Sequence, residues 1–175
     1  LVEALAEQRS YWGRVLREGS LPELELPLDF PRPTTQTFTR ANGGMVSVSV
    51  AAEKMARLEG MGRSQSCTLY QMVLALWSVL LCRHASQEEV VIGSPYHGRD
   101  AAGTELLIGY FVNVLPLLVG VARSSSVATM LKSVREAASS GIRHAALPFQ
   151  QIVHELLPKR SHDASRNAVF QAMLA

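Results

Sequence analysis

The stretch VVIGSPYHGRD, Val90 to Asp100, brings a hydroxyl, a phenol, an imidazole, a guanidinium and a carboxylate into a few residues. They follow Val90 to Gly93, which reads as a buried strand, and polar groups bunched past a core strand are a common way to build an active site. What each group could do depends on its neighbours. His97 has no nucleophile or carboxylate at catalytic-motif spacing, so it reads as structural or solvated and not as a general base. Ser94 lacks the G-x-S-x-G frame of a nucleophile elbow. GSPYHG has no Gly-Lys-Ser ending and no helix opening after it, so it is not a phosphate loop. Arg99 could grip a carboxylate with two parallel hydrogen bonds. Its neighbour Asp100 points away on an extended chain, so the expected partner is remote or outside this chain.

The other candidate is Asn113, set inside the apolar run IGYFVNVLPLLV. A buried amide must find hydrogen bonds or cost about 1–3 kcal/mol. Two readings stand: it pairs with a nearby loop backbone, or it faces a cavity and orients a substrate carbonyl or a catalytic group. His84, His144, His154 and His162 are dispersed, without a His-His or H-x-x-E-H cluster. Cys67, Cys82 and His84 lack the close pairings of a structural zinc site.

These groups must be positioned by regular elements. Leu1, Leu5, Trp12, Val15 and Leu16 fall at helical spacing, with Gly19 as a stop. Prolines between Pro22 and Pro33 make a stiff connector. Thr37 to Arg40 and Met45 to Val50 read as strands around an Ala41–Gly44 hairpin turn. Ala51 to Arg63 is an amphipathic helix with Met55, Leu58 and Met61 on or near one side. Thr68 caps a long helix to about His84, apolar nearly all round and so expected in the middle of the structure. Strands are expected at Glu89 to Gly93, Phe111 to Val121 and Ala168 to Leu174. Between them lie a helix over Val127 to Ile142, buried through Val127, Met130, Leu131 and Val134, and another starting at Pro148. The fold class is α/β: a mixed sheet covered by helices in a layered sandwich.

Composition narrows the partners. The 175 residues carry 17 basic and 15 acidic side chains in scattered positions, so no charged block points to nucleic acid or a lipid surface. The longest apolar run, Leu69 to Cys82, is interrupted by Gln71 and Ser78 and falls short of the roughly 20 residues of a membrane helix. Two cysteines are too few for a disulfide framework, and reduced thiols suggest a cytoplasmic protein. No signal peptide is visible; the chain opens inside a helical pattern and reads as cut from something larger.

IGSPYHGR (92–99), IGYFVNVLPL (108–117) and HAALPFQQIV (144–153), in that order, resemble the later core motifs of nonribosomal peptide synthetase condensation domains. YWGRVLREG, LELPLDFPRP, TLYQMVLALWSVLLCRH and RNAVFQAMLA extend the resemblance almost to both ends. Departures stand at Ser94, usually Thr in the family; at Tyr96 and His97, usually small and apolar; at Leu118, usually Arg; and at Ala145 and Ala146, usually Gln-Asp. The family's His-His-x-x-x-Asp-Gly motif is absent from the sequence.

The resemblance implies a chloramphenicol-acetyltransferase-like lobe over 1–175, the C-terminal half of a domain whose N-terminal lobe holds that motif. The implied reaction joins a donor acyl or peptidyl thioester to an aminoacyl amine. Both ride on phosphopantetheine arms of upstream and downstream peptidyl carrier proteins, beside an adenylation domain, and no cofactor is bound directly. Arg99 matches the position that salt-bridges the absent motif's Asp, and should stand unpaired or solvated without it. Asn113 matches a tunnel position with a supporting role, and Ser94, Tyr96, His97, Gly98 and Tyr110 a tunnel wall. The segment from Arg99 to Ile108 matches a crossing loop, expected to be mobile. Alone, the chain is expected to be inactive. The alternatives are a non-catalytic carrier-docking module, or a CoA-dependent acyltransferase of the same fold, which would need its own His-His motif.

Overall fold

The computed structural model describes residues 5–17, 21–30, 44–157 and 166–175. The Gly19 stop, the Thr37 to Arg40 strand, most of the hairpin turn, the end of the proline connector and His162 lie outside them. The elements are α1 (Ala6–Val15), α2 (Ala52–Ser64), α3 (Leu69–Ala85), β1 (Glu89–Tyr96), β2 (Asn113–Gly120), α4 (Val127–Arg143), α5 (Phe149–Gln151) running into a π-helical turn (Ile152–Leu156), and β3 (Ala172–Met173).

β1 and β2 pair antiparallel along their whole length, from Glu89 opposite Gly120 to Tyr96 opposite Asn113. β3 adds a short parallel strand on the other side of β1 at Ile92 and Gly93, giving a mixed sheet in the order β2-β1-β3. Opposed residues of an antiparallel pair share a face. Ser94, opposite Leu115, accepts a hydrogen bond from Tyr70 of α3 at 2.6 Å, while Gly141 of α4 sits over Leu115 and Leu117. α3 and α4 therefore cover the same face. Gly93 points the other way, where a Cβ would lie 2.5 Å from the Phe170 ring, and Phe149 of α5 packs on Phe170 with centroids 5.5 Å apart. The expected sandwich of helices on a mixed sheet is what forms. Its core joins Trp12, Leu16, Met72, Leu74, Ile92, Leu131 and Ile152, all buried.

Several boundaries differ from the sequence reading. α3 opens as expected, with a full capping box: the Thr68 hydroxyl accepts from the Gln71 N–H and the Gln71 side chain accepts from the Thr68 N–H. It is not central, however, because Leu69, Leu76 and Leu80 form an exposed stripe at helical spacing. β1 does not break at Gly93 but continues to Tyr96, since β2 offers a partner throughout. Pro95 is tolerated because β3 reaches only Ile92 and Gly93, leaving β1 an open edge there. β2 begins at Asn113, two residues after the expected start.

Met45 to Val50 forms no strand. Its side chains are exposed, and no described strand pairs with it, so the alternation has no ladder to join. Val127 is exposed, lying in the first turn after the Ser126 cap, before α4 meets the sheet. β3 is two residues instead of seven, because the Asn167 side-chain oxygen accepts from the Val169 and Phe170 N–H groups and holds the chain in a turn. Replacing Gly93 with Ala should push Phe170 aside and lower stability by about 1–3 kcal/mol, measured by urea unfolding.

Candidate functional site

The three segments singled out from the sequence meet at the Tyr96–Asn113 end of the β1–β2 pair. There they line an open cleft of about 570 Å³. Tyr96, Gly98 and Asp100 come from the first segment, Tyr110, Phe111 and Asn113 from the second, and Ala145, Ala146 and Pro148 from the third. Other hollows, of about 610 Å³ at the far end of the sheet and 660 Å³ beside α5, touch neither of the first two segments.

Asn113 builds one wall. Its Nδ2 donates to the carbonyls of Ala145 (2.8 Å) and Leu147 (2.9 Å), while its Oδ1 accepts from the N–H groups of Val114 (2.9 Å) and Phe149 (3.0 Å). Two donors and two lone pairs are all a carboxamide has. Of the two readings open from sequence, the loop-backbone one holds. Trp12 holds the same loop from outside, donating from Nε1 to the His144 carbonyl at 2.9 Å. The His144 ring stacks on Tyr11 at 3.9 Å, a pairing that no sequence spacing signals.

The opposite wall turns at Gly98. Its φ is +64°, and a Cβ there would lie 2.1 Å from the Phe111 carbonyl oxygen, so only glycine fits. Arg99 is not unpaired: Nη1 donates to the carbonyls of Thr104 and Leu107, and the guanidinium sits 4.3 Å over the Phe111 ring. Its partners are local backbone because the 100–108 loop folds back in two turns, bonded Thr104 to Ala101 and Leu107 to Thr104. The Nε and Nη2 edge of Arg99 makes no hydrogen bond within the described residues.

His97 stands at the rim and not in the cleft wall. Its Nδ1 accepts the Arg99 N–H at 3.0 Å, which leaves the proton of the neutral ring on Nε2, 3.9 Å from Asp100 Oδ1. Both side chains are more than 60% exposed, at 66% and 63%, so no enclosed imidazole–carboxylate pair exists here. Ser94 does not line the cleft either; it is buried beneath β1 against Tyr70. Tyr96 and Tyr110 line the cleft. The sequence reading weighed Asp100 only as a neighbour of Arg99; its Oδ2 accepts the Tyr96 hydroxyl. The only signal was its spacing, four residues after Tyr96 across a turn. Among the described residues no three His, Cys, Asp or Glu side chains gather as metal ligands. No single described helix is long and apolar enough to cross a membrane.

The model of the condensation-domain family matches residues 2–175. The chain belongs to the condensation-domain family. It is 37% identical over 171 residues to malpibaldin synthetase of Mortierella alpina, covering 98% of this chain and 3% of that protein. It is 35% identical over 169 residues to tyrocidine synthase 3 of Brevibacillus parabrevis, covering 97% of this chain and 2% of that protein. The X-domain from teicoplanin biosynthesis superimposes with a TM-score of 0.84 at 26% identity, over 97% of this chain and 36% of that one. A four-domain nonribosomal peptide synthetase bound to AMP and glycine gives 0.87 at 24% identity, covering 99% of this chain and 13% of that one, a likeness of fold. This condensation-domain chain thus spans a small part of its curated relatives.

Burial and the carboxylate at its hydroxyl push the Tyr96 phenol up to about 12. The folded state therefore holds this proton more tightly than the unfolded chain. The stability this adds is complete below the ordinary phenol value of about 10 and is lost as pH rises through about 12. A tyrosinate absorbance titration should show a late step that Tyr96→Phe removes; a variant with an unchanged late step would contradict the assignment.

Proposed function

We propose that residues 1–175 form the C-terminal lobe of a condensation domain and supply one wall of a two-part reaction chamber. The complete domain joins a donor acyl or peptidyl thioester to the amine of an acceptor aminoacyl thioester. Carrier proteins present both on phosphopantetheine arms, in a cytoplasmic synthetase that also holds an adenylation domain. The observation that carries this reading is the convergence of three distant segments on one open cleft whose amide is spent on backbone. Such a wall can position reactants, but it has no enclosed acid–base pair to move the proton. Positioning is the larger part of what this reaction needs. The amine is a competent nucleophile once deprotonated, and holding it against the thioester removes a large entropic barrier.

In this reading each residue has a bounded task. Asn113 is a positioning residue: it fixes the Ala145–Leu147 loop and the start of α5 against β2. Arg99 spends Nη1 on the 100–108 loop and keeps its Nε and Nη2 edge for a carboxylate of the partner lobe. That edge has the geometry for bidentate bracing, so bracing and loop folding are compatible in one guanidinium. Tyr96, Gly98 and Tyr110 form the chamber wall, with His97 at its rim and Ser94 supporting β1 from below.

The test joins this chain to a matching N-terminal lobe and follows dipeptidyl transfer between loaded carriers. The joined protein should turn over, the isolated chain should not, and Arg99→Ala in the joined protein should slow transfer by about tenfold to a hundredfold. Transfer by the isolated chain would defeat the two-lobe reading. Unchanged turnover and stability in the Arg99 variant would reject the bracing role.

A further inference from the structure

Asp100 stands out among the cleft residues. Its chain neighbour Arg99 is turned toward loop carbonyls and Phe111, and no Lys or Arg among the described residues lies within bonding distance of its carboxylate. Oδ2 accepts the Tyr96 hydroxyl. Oδ1 accepts no hydrogen bond from the described residues; His97 Nε2 lies 3.9 Å from it. A carboxylate has about four acceptor sites, and here one is used.

The charged side chains in the cleft lining are Asp100 and Arg143. Arg143 offers donors only, and its Nη2 is held back along α4 by the Ser140 hydroxyl at 2.7 Å. The Asn113 oxygen is saturated, so Asp100 is the anionic acceptor within reach. Tyr96 and Tyr110 also line the cleft, and aromatic ring faces favour cations, while Phe111 already carries the Arg99 guanidinium over its ring. Backbone carbonyls of the loop are already committed at Ala145 and Leu147. A neutral acyl group would gain nothing from such a carboxylate, whereas a primary ammonium would gain a charge-assisted hydrogen bond.

We infer that Asp100, held in orientation by Tyr96, is the anchor in this cleft for a primary ammonium group of the substrate. The inference rests on the proposed function and names the chemistry of what that cleft receives. Two parts of an aminoacyl acceptor could supply the group: the α-amine in its protonated form, or a basic side chain. The carboxylate would hold the ammonium in the cleft by a charge-assisted hydrogen bond.

The test measures binding of three pantetheine amides, which cannot transfer, to the whole chain by titration calorimetry. The probes are leucyl-pantetheine amide with a free α-amine, N-acetyl-lysyl-pantetheine amide, and N-acetyl-leucyl-pantetheine amide, which has no ammonium. At least one ammonium probe should bind about fivefold more tightly than the neutral one. Which one does so identifies the source of the group. Asp100→Asn, which keeps the shape and removes the charge, should erase the preference, and added salt should weaken it in the unaltered chain. Equal binding of all three probes, or a preference that survives Asp100→Asn or added salt, overturns the inference and leaves the proposed function standing. Failure of all three to bind overturns the inference and also removes support for the cleft as a thioester site.

Discussion

The cleft depends on one carboxamide. Asn113 opens β2 and gives both of its protons and both of its lone pairs to backbone groups, two of them in the loop that follows α4 and one at the first residue of α5. Without it, two carbonyls and one N–H of a part-buried loop would need new partners, at about 1–3 kcal/mol for each that found none. Its position at the strand's first residue is what allows this. A residue deeper in β2 would face a helix or Phe170, and one before the strand would have no ladder to hold it. Because Asn113 lies opposite Tyr96, the same register that fixes the loop also fixes the first wall of the cleft.

The remaining parts brace that arrangement from outside. α1 reaches across to hold the loop through Trp12 and the Tyr11–His144 stack, and Arg9 grips Glu155 in the π-helical turn through two hydrogen bonds, at 2.6 and 3.3 Å. On the opposite wall, Gly98 lets the chain pass against the Phe111 carbonyl, and Arg99 folds the 100–108 loop beneath itself. The result is a cleft walled by committed backbone and aromatic rings, with Asp100 and Arg143 as the charged side chains of its lining. Such a surface suits orientation of a reactant better than proton transfer, which is what the proposed function asks of it.

Local chemistry is the part of this chain most legible in its sequence. Thr68 and Gln71 announce the start of α3 because a capping box depends only on residues three apart. The segments around Arg99, Asn113 and Pro148 are readable as a set, and they do meet. Pairing is less legible, because it depends on distant residues. Pro95 looks like a strand end until β2 is seen to run alongside it, and MVSVSV looks like a strand although nothing described pairs with it. The resemblance puts Ser94 in the wall beside Tyr96, and the two do share a face of β1. Ser94 nevertheless lies under α3, bonded to Tyr70, and that destination is visible only once α3 is placed. Arg99 reads as open, because the fold-back of the 100–108 loop has no signature in residue types.

The most direct measurement is amide hydrogen exchange in the chain carrying Asn113→Ala. The Phe149 N–H, whose acceptor is the Asn113 side chain, should lose protection by about tenfold or more. Amides in the middle of the β1–β2 ladder should keep theirs. Unchanged protection at Phe149, or an equal loss throughout the sheet, would contradict the claim that this one amide holds the cleft wall in place.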